Sequence, residues 1–360
     1  MASPDSNLTT ILRQPSFWAL PLRRMPPVRH RAYVAEGLWG LQAAHAAFMM
    51  PGRAVLFVHA AMLQTQPLSP GFGAEALDVD LSRPLSDAQF RELEQAFYAN
   101  QVLAIRGQGL TASQFVAFAR RIGPPQPHVI DQFHHPEDRN ILILSNVRQD
   151  GKPTGLQDAG SYFHTDYSYL QVPARATTLY SRVVPKVGGD TLFANQYAAY
   201  DDLPQAMKER IEPLRAIHHY GNRNDQNEDS RSVASLLSVQ QKAKMPVITH
   251  RIARSHPITG RKALYAVSGS SFGIVGMPRH ESDSLLDELA AFATQPKYQL
   301  RFKYGLGDVV IWDNASLLHS ATLIDPDDGR TLWRVTVLES SPRAAAPELL
   351  AASYANDPAA

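Results

Sequence analysis

At 360 residues and 44% hydrophobic, the chain is long enough to bury a full-sized core. Its 35 Lys plus Arg against 34 Asp plus Glu exclude any general electrostatic pull toward nucleic acid or an anionic membrane. The absence of cysteine excludes disulfides, thiolate metal sites and cysteine nucleophiles; it points to a reducing, cytoplasmic setting and leaves only His and carboxylates to ligate a metal.

Residues 1–61 differ from the rest: Pro15, Pro21, Pro26 and Pro27 sit among arginines, and an apolar stretch over 38–62 follows. Gln42, His45, Pro51, Gly52 and Arg53 break that stretch, so it cannot supply the roughly 20 apolar residues of a spanning helix. It also lies too far in for an ordinary signal peptide. A poorly ordered N-terminal extension is expected, with a targeting or membrane-associating segment as the alternative.

From residue 63 the pattern is orderly. Ser86 and Gln89 form a capping box ahead of Phe90, Leu93 and Phe97, which predicts a helix; residues 102–105 then read as a strand. Thr111 and Gln114 repeat the box ahead of Phe115, Phe118 and Ile122, with Gly123 as the stop. Short β-type runs follow at 141–144, 176–184, 191–194, 247–253, 263–267, 298–304, 309–312 and 332–338, many separated by turn residues such as Gly188-Gly189. Tyr298, Leu300, Phe302 and Tyr304 alternate with Gln299, Arg301 and Lys303, the mark of a strand with one buried face. One helix, with Leu285, Leu286, Leu289 and Phe292 at helical spacing, interrupts this half, and the polar segment 221–244 suits an insertion or lid. Many short strands with few long helices argue for a mainly β (α+β) sandwich or jelly roll rather than a doubly wound sheet. The folded unit is expected over 62–342, with a tail at 343–360.

The segment Tyr162-Phe163-His164-Thr165-Asp166-Tyr167 carries the chemistry. On an extended strand His164 and Asp166 would share one face and so one metal, and His319, at the end of the run that starts at Asp308, is the candidate third ligand. Two histidines and one carboxylate on one face of iron(II) leave positions open for a chelating co-substrate and oxygen. Alone, His-x-Asp is usually a surface or structural pair. Two rivals arise from other classes. Gly269-Ser270-Ser271-Phe272-Gly273 has the form of a serine-hydrolase elbow, with Asp313 and His319 following, although the extended run ending at Pro278 leaves no helix after the serine. The same three ligands would also suit a zinc hydrolase or a non-catalytic binding module.

The order and spacing of several motifs resemble the taurine dioxygenase and 2,4-dichlorophenoxyacetate dioxygenase family. They run from Pro70-Gly71-Phe72-Gly73-Ala74-Glu75 and residues 79–85 through Phe163-His164-Thr165-Asp166, Gly188-Gly189-Asp190-Thr191-Leu192 and Ser255-His256-Pro257, to Trp312-Asp313-Asn314, His319, Arg330 and Arg334. The resemblance implies a double-stranded β-helix, a cupin-like jelly roll with flanking helices, working with Fe(II), 2-oxoglutarate as co-substrate and O2. It implies metal ligation by His164, Asp166 and His319, contact of Thr191 with 2-oxoglutarate, and pairing of Arg330 with the co-substrate's far carboxylate. Arg334 would reach the substrate's anionic group or the iron end of the co-substrate, and His128 and Tyr167 fall on the substrate side. Gly160 stands where taurine-binding members carry asparagine, and Asp131 where they carry an aromatic, which argues against taurine itself. The expected function is hydroxylation or oxidative cleavage of a small anionic organic molecule, a sulfonate, phenoxyacid or other carboxylate, with release of succinate and carbon dioxide. The resemblance also allows a homo-oligomer.

Overall fold

The computed structural model describes residues 63–157, 160–221, 247–325 and 327–339. The expected extension at 1–61, nearly all of the segment at 221–244 and the tail at 343–360 lie outside the described residues.

Strands β1 (Thr65–Pro67) and β2 (Ala74–Ala76) lead into α1 (Asp87–Asn100), β3 (Val102–Ile105), α2 (Ala112–Ile122), β4 (Leu142–Ser145) and the hairpin of β5 (Arg148–Gln149) and β6 (Lys152–Pro153). Both helices start at the expected boxes: the Ser86 and Thr111 hydroxyls accept from the Gln89 and Gln114 amides, whose side chains accept in return from the cap N–H groups. Then come β7 (Ala174–Val183), β8 (Thr191–Asn195), α3 (Gln196–Asp201), α4 (Gln205–Ile211), β9 (Arg215–His218), β10 (Ile248–Arg251), β11 (Ala253–Ser255), β12 (Lys262–Leu264) and β13 (Ser271–Ile274). α5 (Arg279–Ala293), β14 (Gln299–Phe302), β15 (Val309–Asp313), β16 (Leu317–Ala321) and β17 (Thr331–Leu338) complete the order.

Seven strands form the large sheet in the order β1-β2-β3-β15-β7-β17-β4, all antiparallel except the β2–β3 pair. A smaller sheet runs β14-β8-β16, and a third runs β10-β9-β13. The alternation in β3 shows how the layers stack. Leu103 and Ile105 pack with Phe90, Leu93, Phe97 and Phe115 of the two helices, whereas Val102 and Ala104 pack with Phe193, Leu300, Phe302 and Leu317 of the smaller sheet. The large sheet is thus buried on both faces, which is why β3 and the body of β15 read as unbroken apolar runs. On the far side of the smaller sheet, Ala194 and Leu318 meet Leu285, Leu286 and Leu289 of α5. The wet face expected of residues 298–304 is present, with Arg301 and Lys303 exposed. This is the jelly-roll sandwich expected from the sequence, and among the described residues no helix is long and apolar enough to cross a membrane.

Candidate metal centre and substrate cavity

His319 sits at the centre of β16 and exchanges two backbone hydrogen bonds with His164, each 2.9 Å long. The extended strand expected through residues 162–167 is not formed: this single bridge is its whole extent, and a turn begins at Asp166 with Tyr167 at φ 50°. The turn, rather than strand periodicity, swings Asp166 back toward the two imidazoles. His164 Nε2 lies 3.8 Å from Asp166 Oδ1 and His319 Nε2 lies 3.6 Å from Oδ2. One nitrogen or oxygen from each residue falls within 4.8 Å of the others, the only such set of three among the described residues.

The protonation pattern suits a divalent cation. His164 Nδ1 lies 2.8 Å from the Tyr162 carbonyl, which can only accept, so Nδ1 carries the proton and Nε2 presents its lone pair. Burial lowers the pKa of both imidazoles, that of His319 to about 3 with His164 adding to the effect. Burial works against the charged form of Asp166, but Arg334 and the Thr177 hydroxyl hold its carboxyl well below the usual carboxylate range. Two neutral imidazoles and one carboxylate are the donor set of the facial triad, and His319 Nδ1 has no hydrogen-bond partner among the described residues. These residues fit the iron(II) that the motifs imply.

His164 and Asp166 line an open cavity, and His319 stands beside it, bridged to His164. Tyr162, Tyr167, Tyr169 and Tyr220 supply aromatic wall, and His128 and Arg334 supply polar groups. His128 Nδ1 accepts from the Ile130 N–H at 3.1 Å, and its ring lies 5.9 Å from that of Tyr167. Arg334 is 9% exposed; its Nη1 lies 3.3 Å from Asp166 Oδ1, and its Nη2 has no partner among the described residues.

Thr191 and Arg330 do not line this cavity. Thr191 is paired in register with Ala321, two residues beyond His319, and its hydroxyl lies 2.9 Å from that of Tyr304. The turn beside it brings Arg330 close: a Cβ on Gly189 would meet Arg330 Cδ at 3.1 Å. Arg330 Nε is buried without a partner among the described residues, beside Tyr304 and Asp190. That leaves a cationic nitrogen without a hydrogen bond, beside a hydroxyl and a carboxylate, at one end of the same smaller sheet.

The hydrolase rival is not assembled. Ser271 opens β13, is 1% exposed and donates to the Ala266 carbonyl, while Asp313 pairs with His256 Nε2 at 3.0 Å rather than with His319. Phe163 turns away from the cavity into the layer against α5. Sequence reasoning missed Tyr220 and Ser270 of the wall and the support given to Asp166 by Thr177. Thr177 lies mid-strand beside a second threonine with no motif around it; Tyr220 adjoins the polar insertion, and the Gly-rich run around Ser270 points to a different chemistry.

A jelly roll that gathers two neutral imidazoles and a carboxylate at an open cavity defines the class of mononuclear non-haem iron oxygenases. The chain belongs to the family described as Taurine catabolism dioxygenase TauD, TfdA family, which it matches over residues 64–336. It is 35% identical over 286 residues to the alpha-ketoglutarate-dependent 2,4-dichlorophenoxyacetate dioxygenase of Cupriavidus pinatubonensis, covering 76% of this chain and 97% of the relative. It is 34% identical to the (S)-phenoxypropionate/alpha-ketoglutarate-dioxygenase of Sphingobium herbicidovorans, covering 74% and 92%. Among solved structures, AAD-2 in complex with Mn(II) and N-oxalylglycine superposes with a TM-score of 0.64 at 29% identity, covering 78% of this chain and 98% of that one. The protein is a 2-oxoglutarate-dependent dioxygenase that works with Fe(II), 2-oxoglutarate and O2 on a small-molecule substrate.

Proposed function

We propose that this dioxygenase hydroxylates or oxidatively cleaves a small organic anion, with an aryloxy carboxylate of the phenoxyacid type favoured over an aliphatic sulfonate. The observation that carries this reading is Arg334 Nη2, a buried and unpartnered cationic donor, in a cavity walled by four tyrosines. A buried guanidinium nitrogen left without a hydrogen bond is costly even when its neighbour is paired, and an anionic head placed there would satisfy it by a charge-assisted bond. Tyrosine faces then suit an aromatic body. The names of the phenoxyacid-oxidising relatives support the same class.

In this reading His164, Asp166 and His319 hold Fe(II), Thr191 and Arg330 hold the far end of 2-oxoglutarate, and Arg334, His128 and Tyr167 contact the substrate. When bound, iron and 2-oxoglutarate supply oxidative decarboxylation chemistry that delivers one oxygen atom to a C–H bond, with succinate and carbon dioxide as co-products. The protein's own task is positioning. Arg330 fixes one end of the co-substrate by bidentate pairing, and Arg334 and the tyrosines hold the substrate so that a single carbon faces the metal. Oxidation beside the ether oxygen would give an unstable hemiacetal and so cleavage; oxidation elsewhere would give a stable alcohol. We further propose that residues 62–342 form the catalytic unit and that it acts in the cytoplasm without nucleic-acid or membrane partners, alone or as a homo-oligomer. The near-zero net charge and the lack of cysteine support this.

The test is succinate release under air with Fe(II), ascorbate and 2-oxoglutarate across phenoxyacids, aliphatic carboxylates and sulfonates. Phenoxyacids should stimulate release most and yield a phenol or hydroxylated acid in equal amount. Stimulation by sulfonates alone, or by none of these anions, overturns the reading.

A further inference from the structure

Asp166 Oδ2 accepts a 2.6 Å hydrogen bond from the Thr177 hydroxyl, the only polarity open to an ionised carboxylate, and the hydroxyl is kept aimed there from outside the metal centre. Asn314 stands behind Thr177. Its Oδ1 is taken by two donors that cannot reverse, the indole N–H of Trp312 at 3.2 Å and the backbone N–H of Asp166 at 3.3 Å. That fixes which way the amide faces, so Nδ2 must donate to Thr177 Oγ1, at 3.0 Å. With a donor already directed at its oxygen, the hydroxyl gives its own proton onward, and the carboxylate is by far the nearer acceptor; the other candidate, Thr336 Oγ1, lies at 3.3 Å. All of these side chains are buried.

The framework that presents them is rigid. Thr177 lies on β7, the central strand between β15 and β17, in register with both Trp312 and Thr336. Asn314 follows β15 in a turn whose Asp313 accepts from the Ala315 N–H and the Ser316 hydroxyl. Asp313 is held in turn by His256. Two backbone N–H groups, of Ile258 and Thr259, both at 3.0 Å, claim His256 Nδ1 as acceptor and leave Nε2–H to donate to Asp313.

We propose that Asn314 and Thr177 form a one-way hydrogen-bond relay that fixes the rotation of the Asp166 carboxylate, and that they are positioning residues for the metal. This rests on the reading of His164, Asp166 and His319 as ligands. Oδ1 already has a longer contact with Arg334 Nη1 at 3.3 Å, and the shorter bond from Thr177 pins Oδ2, so the carboxylate is presented in a single orientation before the cation arrives. Partners of this kind commonly change metal affinity by 10–100-fold.

The experiment titrates the apo full-length chain with Mn(II) and reads free Mn(II) by its electron paramagnetic resonance signal, with thermal unfolding of each apo variant beside it. Thr177→Val should weaken Mn(II) binding about 10–100-fold. Thr177→Ala, which removes the hydroxyl without placing a methyl against the carboxylate, should do the same and is measured in parallel in case the valine does not fold. Thr177→Ser keeps the hydroxyl and should restore affinity to within a few-fold of wild type, which a merely structural role would not do. Asn314→Ala should weaken binding while Thr177 is intact, because the hydroxyl is then free to turn toward Thr336. Wild-type affinity in both Thr177→Val and Thr177→Ala, or a serine variant as weak as the alanine, overturns the relay alone. Failure of wild type to bind Mn(II), or undiminished binding by His319→Ala, overturns the ligand reading beneath it.

Discussion

Arg330 and Arg334 sit four residues apart at the start of the last strand, yet their surroundings assign them different charges to hold. Arg334 has a standing partner in Asp166 and one free nitrogen toward the cavity, whereas Arg330 has neighbouring hydroxyls and an unpartnered Nε. Arg330→Leu should therefore strand the far carboxylate of 2-oxoglutarate and cost about 3–5 kcal/mol, seen as a raised co-substrate KM. Arg334→Leu should raise the prime-substrate KM and uncouple turnover, so that succinate accumulates without matching product, because a misplaced substrate no longer presents its reacting carbon. Anaerobic titration with Fe(II) and 2-oxoglutarate, read by the charge-transfer band, separates the two: Arg334→Leu should keep the band and Arg330→Leu should lose it at ordinary co-substrate concentrations. The reverse pattern would exchange the two roles.

At the scale of elements, the turns hold as much information as the strands. Gly151 and Gly188 both have positive φ, 74° and 76°, but a Cβ on Gly151 would meet nothing within 4 Å, whereas one on Gly188 would press into the Leu323 carbonyl oxygen. Gly151→Ala should cost only the conformational penalty, about 1–2 kcal/mol. Gly188→Ala must also push apart the two loops joined at the Gly188–Ile324 bridge, so it should cost distinctly more in urea denaturation and should loosen co-substrate binding through the adjoining Arg330. Equal costs in the two variants would show that the loops yield freely.

The same contrast explains what was legible in the sequence. The capping boxes at Ser86 and Thr111 and the strands at 102–105 and 309–312 could be read because local chemistry and two-sided burial write themselves into a few adjacent residues. The run at 247–253 hid a break: strand pairing stops after Arg251 and resumes at Ala253 with a different partner, which local alternation does not record. The three candidate ligands can be read from residue types, spacing and motif order, although the turn at Asp166, not strand periodicity, brings them together. Thr177 and Tyr220 are silent in the sequence because their place in the site depends on which distant segment lies opposite.

The whole molecule should be acid-sensitive for a reason independent of metal. His218 and His250 pack with their rings 5.2 Å apart, and burial pushes both pKa values down, that of His250 to about 4. Above pH 6.5 the folded and unfolded chains both carry these rings neutral, so their contribution is fully present. As pH falls from 6.5 toward 4 the unfolded chain takes up protons that the folded chain refuses, and stability drops by up to about 1.4 kcal/mol per pH unit for each histidine. Urea midpoints of the apo protein should fall between pH 7 and pH 5, and His218→Phe, which also removes two buried unpartnered nitrogens, should flatten that fall. An unchanged slope in the variant would place the acid sensitivity elsewhere.

The bridge between His164 and His319 has a consequence for how the chain acquires its metal. The segments it joins are far apart in the chain, since Thr165 and Leu317, which are bonded beside it, are separated by 152 residues. Closing so long a loop costs entropy that no local contact repays, and pairings of this range form late in folding. On the proposed ligand set, an ion should not nucleate such a site in the way zinc nucleates a small finger. It arrives as a latch on finished topology, so chelation should leave the sandwich standing, and capture of the ion during refolding should report when the last long-range pairing is complete.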